Sequence, residues 1–328
     1  MSTVGEARVL SRVYSVSSSV FPGLSLRLRE WAPCIASSQP PLLMVHGATI
    51  ASVLWDNPAP GWSWMEMLAR AGIPAFALDL RGYGFSASPN ELPTAPFARA
   101  SEAQHDVADA VAFIRALTGA ERIDLLGGSW GSVVCGLYLT GQKRPPVRRL
   151  VFYAPVYSAP GEGAEWRAEA ADPTDPARIS PHLGPFRSIS AASFLARWDA
   201  EIPLEDKTLW RDEAVAAALL RHSLAESGRR DAPGCLHMPT GALADLFEVF
   251  SGRPLYLASD IDLPTLIVRG EHDRTSTQSD AKGLFETLGS ERKLYCVVGR
   301  GAHFMVGERC LPELHSIVAG FLLDASQS

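Results

Sequence analysis

At 328 residues, 47% hydrophobic and 20% charged, the chain is long enough to bury a large core as one domain plus an insertion. A formal net charge of -6, without a basic run or repeat, argues against a nucleic-acid partner, and no apolar stretch is long enough to span a bilayer. Cys34, Cys135, Cys235, Cys296 and Cys310 form an odd, scattered set without metal-ligand spacing, so reduced thiols and no metal site are expected.

Residues 1–21 lack a basic region followed by an apolar core, which reads as no signal peptide and a cytoplasmic protein. Residues 13–20 and 24–31 alternate with a period near two and predict an antiparallel hairpin at a sheet edge. Residues 42–45 form a short apolar strand running into His46-Gly47-Ala48-Thr49. An aromatic loop, Trp55-Asp56-Asn57-Pro58-Ala59-Pro60-Gly61-Trp62-Ser63-Trp64, leads to a helix over 64–71 and a strand over 74–80. Val107, Val111, Ile114 and Leu117 at helical spacing predict an amphipathic helix over 101–117, capped by Ser101. A strand over 122–126, a small-residue helix from Ser132 and a strand over 148–154 follow. The alternation then stops for about a hundred residues between Pro155 and Asp262, far more than the roughly 15 that loops in compact domains reach. Helical patterns at 191–200, 209–226 and 241–250 make this stretch a mostly helical cap over 156–262, inserted into a core formed by 1–155 and 263–328. Strands over 265–269 and 293–298, a helix over 311–323 and a frayed tail over 324–328 complete the chain. Alternating strands and helices require a mostly parallel, doubly wound α/β sheet covered on both faces.

Gly127-Gly128-Ser129-Trp130-Gly131 carries the most chemistry. A strand turning sharply into a helix through one serine holds that serine in a strained conformation, where side chains at Gly127 and Gly131 would collide. The hydroxyl is thereby lifted above the sheet edge as a nucleophile. On such a scaffold the acid and then the histidine follow in the chain. Asp273 lies just past one strand in Gly270-Glu271-His272-Asp273, and His303 past the next in Gly299-Arg300-Gly301-Ala302-His303-Phe304. Trp130, at a helix N-terminus, and Ala48, after the glycine turn, offer backbone N–H groups to an oxyanion.

With these residues in view the chain resembles the α/β-hydrolase superfamily, from about Leu42 to Leu323. The resemblance includes Leu78-Asp79-Leu80-Arg81-Gly82-Tyr83-Gly84-Phe85-Ser86, a strand end and glycine turn typical of ester- and amide-cleaving members. It implies an α/β-hydrolase fold and a serine hydrolase needing no cofactor, with catalytic Ser129, His303 and Asp273. The expected substrate is a carboxylic ester or lactone of a fairly large apolar molecule, a macrolide-type lactone being one candidate. Gly-Gly-Ser-Trp-Gly-Ser is also similar to the elbow of proline iminopeptidases, but His46-Gly47-Ala48-Thr49-Ile50 departs from their usual His-Gly-Gly-Pro-Gly. A cofactor-free lyase or a ligand-binding receptor on the same scaffold is the third reading. The partner is a small molecule; the sequence carries no signal of oligomeric state.

Several residues have competing roles. His46 is expected to bond its own loop, His272 to face outward, and Glu271 is an alternative to Asp273. Asp79 is not the nucleophile, because the elbow holds a serine. His105, His182, His222, His237 and His315 have no metal-binding pattern. Trp55, Trp62 and Trp198 are expected to wall the substrate pocket, with Trp62 and Trp64 alternatively anchoring the next helix. Cap carboxylates that would recognise an aminopeptidase substrate, Glu201, Glu205 and Asp206, read as part of a solvated loop.

Overall fold

The N-terminal alternation forms β1 (Val9–Ser17) and β2 (Ser25–Pro33), paired antiparallel from Val9 opposite Pro33 to Ser17 opposite Ser25. β1 begins and ends earlier than the apolar pattern predicts. The Ser18 hydroxyl accepts the N–H groups of Val20 and Phe21 at 3.4 and 3.2 Å, turning the chain before Val20 can join the ladder. This is a computed structural model, and it describes residues 8–86, 96–227 and 234–324, so the tail at 325–328 lies outside the described residues.

The strands β3 (Leu42–Val45), β4 (Ala75–Leu78), β5 (Ile123–Gly128) and β6 (Val147–Tyr153) follow, almost entirely buried. Between them lie α1 (Trp64–Arg70), α2 (Ala100–Thr118) and α3 (Trp130–Thr140). Ser63 caps α1 by accepting the Glu66 N–H at 3.1 Å. Ser101, expected as a cap, instead lies inside the first turn of α2. The Ala100 N–H is taken by the distant Asp245 carboxylate at 2.6 Å, and the Arg99 N–H by Glu102 at 3.0 Å.

Between β6 and the next core strand the chain forms α4 (Ala164–Ala170), β7 (Ala171–Asp172), β8 (Asp175–Ile179), β9 (Phe186–Ser190), α5 (Ala191–Glu201), α6 (Glu213–Glu226), β10 (Cys235–Pro239) and α7 (Thr240–Val249). The insert is thus less uniformly helical than its sequence predicts: β7 pairs with β8 and β9 with β10, both antiparallel. α6 starts at Glu213 rather than 209, because the Asp212 carboxylate accepts the Ala214 N–H at 2.8 Å and caps the helix there.

The chain then returns through β11 (Thr265–Gly270), α8 (Gln278–Thr287), β12 (Lys293–Val298) and α9 (Leu311–Leu323). Among the described residues the central sheet has eight strands in the order β1-β2-β4-β3-β5-β6-β11-β12, parallel from β4 to β12. The carboxyl ends of β3, β5, β11 and β12 therefore open on one edge, where doubly wound sheets place their sites. No helix among the described residues is long and apolar enough to cross a membrane.

Candidate active site

Ser129 occupies the β5–α3 turn with φ 52° and ψ -125°, a region that non-glycine residues rarely enter. The glycines around it explain how the turn is achieved. A Cβ at Gly127 would lie 2.7 Å from the Gly131 carbonyl oxygen, and one at Gly131 would strike the carbonyl of His46. Gly128 is equally constrained, since a Cβ there would meet the Trp55 ring at 2.8 Å.

His303 and Asp273 reach Ser129 from the ends of β12 and β11. The His303 Nε2 stands 3.0 Å from Ser129 Oγ, and its Nδ1 lies 2.9 Å from Asp273 Oδ2. An ionised carboxylate only accepts, so Nδ1 carries the proton and Nε2 is free to accept the serine hydroxyl. The Thr275 and Ser276 N–H groups donate to Asp273 Oδ1 at 2.9 and 2.7 Å, and Tyr153 Oη donates to the His303 carbonyl at 2.9 Å. Burial disfavours the imidazolium, but the Asp273 charge and hydrogen bond outweigh it, so the His303 pKa lies above its ordinary value. Glu271, the alternative acid, is largely exposed and turned toward His272.

The β3 loop lies directly against the elbow, with a Cβ at Gly47 falling 3.0 Å from the Ser129 Cβ. His46 holds it in place. Its Nε2 accepts the Leu80 N–H at 3.1 Å and its Nδ1 donates to the Gly47 carbonyl at 2.7 Å, a fully buried neutral imidazole whose pKa burial lowers. Tyr83 Oη donates to the Ala48 carbonyl at 2.8 Å, fixing the peptide orientation just past the turn. Trp130 opens α3, and its indole N–H donates to Asp245 at 3.0 Å.

Two further carboxylates lie under the His303 loop, and sequence reasoning missed both roles. Glu201, at the C-terminus of α5, is buried and accepts the His303 backbone N–H at 2.9 Å, rather than standing in a solvated loop. Glu308 accepts the Ala302 N–H and the indole N–H groups of Trp198 and Trp210, at 2.7, 2.7 and 3.0 Å. Burial raises each of these acids to about 7, with the nearby Asp273 charge adding to it. Glu205 and Asp206 are exposed, and Asp206 caps a short turn at Thr208.

The space above Ser129 is narrow, about 30 Å³, enough for a water or two. Trp55 borders it. Trp62 does not; it packs half-buried against the core. Trp198 does not border it either: it is fully buried behind Phe304, ring centroids 5.2 Å apart, with its indole on Glu308. Its neighbour Arg197, about 100° around the same helix, faces the cavity instead. Trp166 of α4, Leu246 of α7 and Phe304 are wall residues without a motif to betray them. Thr49 also borders two adjoining cavities, of about 250 Å³ beside Ile50 and Leu236 and about 70 Å³ beside Glu165 and Arg187.

Fold and site together define a hydrolase-type α/β scaffold. The chain belongs to the alpha/beta hydrolase fold family, whose model matches residues 40–309. No curated protein sequence matches it. Among solved structures it is similar to a thermophilic esterase from Thermogutta terrifontis, at 18% identity over 95% of this chain and 98% of that one, with a TM-score of 0.63. The thioesterase domain from the curacin biosynthetic pathway is similar at 15% identity, covering 96% and 100%, with a TM-score of 0.61. A meta-cleavage product hydrolase from Pseudomonas fluorescens is similar at 17% identity, covering 94% and 96%, with a TM-score of 0.61. At these identities the likeness establishes the fold.

Proposed function

We propose that this protein is a serine hydrolase that cleaves a carboxylic ester or lactone of a small molecule through an acyl-enzyme. The hydrogen-bonded sequence from Ser129 Oγ through His303 to Asp273, at the foot of a narrow cavity, carries this reading. Ser129 Oγ attacks the carbonyl carbon while His303 Nε2 takes its proton, and Asp273 stabilises the resulting imidazolium. The N–H groups of Ala48 and Trp130 stabilise the tetrahedral oxyanion, each such donor being worth about 3 kcal/mol. Collapse expels the alcohol, protonated by His303, and water repeats the sequence on the acyl-enzyme to release the acid. In a lactone the alcohol stays tethered to the acyl chain. The insert over 156–262 serves as the cap, its α4, α5 and α7 excluding water from the acyl-enzyme.

The aminopeptidase reading is weaker than the ester reading. A substrate ammonium would meet the Arg197 cation at the cavity wall, while Glu201 already holds the His303 N–H and Glu169 pairs with Arg187. A macrolactone would need α4 and α5 to move apart. A pure receptor would have no use for the aligned serine, histidine and aspartate. An organophosphonate is expected to label Ser129 alone and abolish hydrolysis of 4-nitrophenyl esters, and Ser129→Ala to lose turnover while still folding. Labelling elsewhere, or near-normal turnover by the alanine variant, would overturn the assignment.

A further inference from the structure

Arg197 is out of balance with its surroundings. Its guanidinium lies over the Trp166 ring at 4.5 Å and within 5.8 Å of the Phe304 ring, and it borders both the space above Ser129 and the adjoining cavity beside Glu165. Its Nε is buried without a hydrogen-bond partner, and the guanidinium makes no hydrogen bond or ion pair with the described residues. A guanidinium has five N–H donors and stays charged in proteins, and buried donors are nearly always satisfied. The charges facing it do not supply the missing acceptor. Glu169 is engaged by Arg187, Glu165 is exposed to water, and Glu201 points to the His303 N–H. The two aromatic rings attract the cation but offer its N–H groups no conventional acceptor, so those donors are left for a ligand.

We propose that Arg197 anchors a carboxylate on the substrate, so that the ester or lactone cleaved at Ser129 also bears a free acid. This deepens the proposed hydrolase function and rests on it. A carboxylate matches the guanidinium fork in a planar, bidentate way. A dianionic phosphate would suffer more repulsion from Glu165 and Glu169, which border the same small cavity. The neutral remainder of the substrate would extend past Thr49 into the larger cavity beside Ile50 and Leu236.

The test uses two ester pairs on the full chain, each setting a carboxylate against a methyl group at the same position. One carries the acid on the acyl side, mono-4-nitrophenyl glutarate against 4-nitrophenyl pentanoate; the other carries it on the alcohol side, 4-acetoxybenzoate against 4-methylphenyl acetate. In at least one pair the acid is expected to be preferred in kcat/KM, and Arg197→Met to reduce that preference by about 10- to 100-fold, the range for a hydrogen bond to a charged group. Arg197→Lys should retain part of it, as a merely structural role would not require. A parallel calorimetric titration of the Ser129→Ala protein compares monomethyl glutarate with dimethyl glutarate, with and without Arg197→Met. Binding preference for the acid without any turnover keeps the anchor and overturns the hydrolase. Turnover without an acid preference in either pair or in the titration, or a preference that Arg197→Met and Arg197→Lys both leave unchanged, overturns the anchor and keeps the hydrolase.

Discussion

Two carboxylates bear on His303, Asp273 at the ring and Glu201 at the backbone N–H. Both charges favour the imidazolium, so the acid limb of kcat/KM is expected to rise through a pKa above the ordinary 6.5 of histidine. Activity falls below that pKa because a protonated imidazole cannot act as base. Glu201→Gln, with its amide oxygen in place of Oε2, preserves the bond to the His303 N–H and removes a charge. The acid limb should therefore move to lower pH, and a limb that stays put would deny Glu201 this positioning role. Stability provides an independent check. Glu201 titrates from 4.5 unfolded to about 7 folded, so its favourable contribution is complete below 4.5 and lost as pH rises through about 7. The glutamine variant should gain on the wild type in thermal unfolding between about pH 5 and about pH 8, by as much as a few kcal/mol at about 1.4 kcal/mol per unit. Ser129, Asp273 and His303 were legible in the sequence because glycine turns and strand ends leave marks in it. Glu201 was not, because Pro203, Glu205, Asp206 and Lys207 make its surroundings read as solvated. The side that Trp198 faces depends on helix phase, which a single aromatic residue does not reveal.

Elements were legible where local chemistry sets their limits. The residues 42–45, 293–298 and 311–323 match β3, β12 and α9 residue for residue, each a compact apolar pattern with clear ends. α2 was misread at its start because its first N–H is satisfied by Asp245, 145 positions further along the chain. The segment around Asp172-Pro173-Thr174-Asp175 reads as a separator but forms a tight turn, in which the Asp172 carboxylate accepts the Thr174 N–H at 2.8 Å between β7 and β8. Asp245, buried on α7, accepts from three donors: Arg99 Nε, the Ala100 N–H at the start of α2, and the indole of Trp130 beside Ser129. Asp245→Ala leaves these donors unpaired and should cost about 3 kcal/mol of stability, the loss typical of a broken buried pair. It should also lower kcat, because the Trp130 side chain, next to Ser129 in the chain, loses the indole bond that anchors it to α7. A thermal midpoint reduced by roughly 4–5 °C is the expected reading for a chain of this size, and an unchanged midpoint would refute the tether.

At the scale of the molecule, the insert does not behave as a detachable lid. One apolar cluster runs from the sheet residues Leu43 and Leu126 through Trp55 and Tyr153 to Trp198, Leu243 and Phe247. Polar links cross at several separate points. Arg29 of β2 holds Glu226 of α6, Arg99 holds Asp245, Trp198 and Trp210 share Glu308, and the Gly241 N–H donates to the Phe97 carbonyl at 2.7 Å. Gly241 itself packs against the backbone around Ala98, where any Cβ would collide. Domains that unfold separately meet across modest, mainly polar interfaces; here the contact is an extension of the core. Because α5, α6 and α7 all hold the core through such links, substrate entry is expected to come from adjustment of α4 rather than from the whole insert swinging open. We therefore expect one cooperative unfolding transition, with the calorimetric and van't Hoff enthalpies equal and far-UV dichroism coincident with tryptophan fluorescence. The test is sensitive because Trp166, Trp198 and Trp210 report on the insert while Trp31, Trp55, Trp64 and Trp130 report on the core. Two resolved transitions, with the insert tryptophans released first, would show that residues 156–262 melt as a separate unit and would restore a hinged lid.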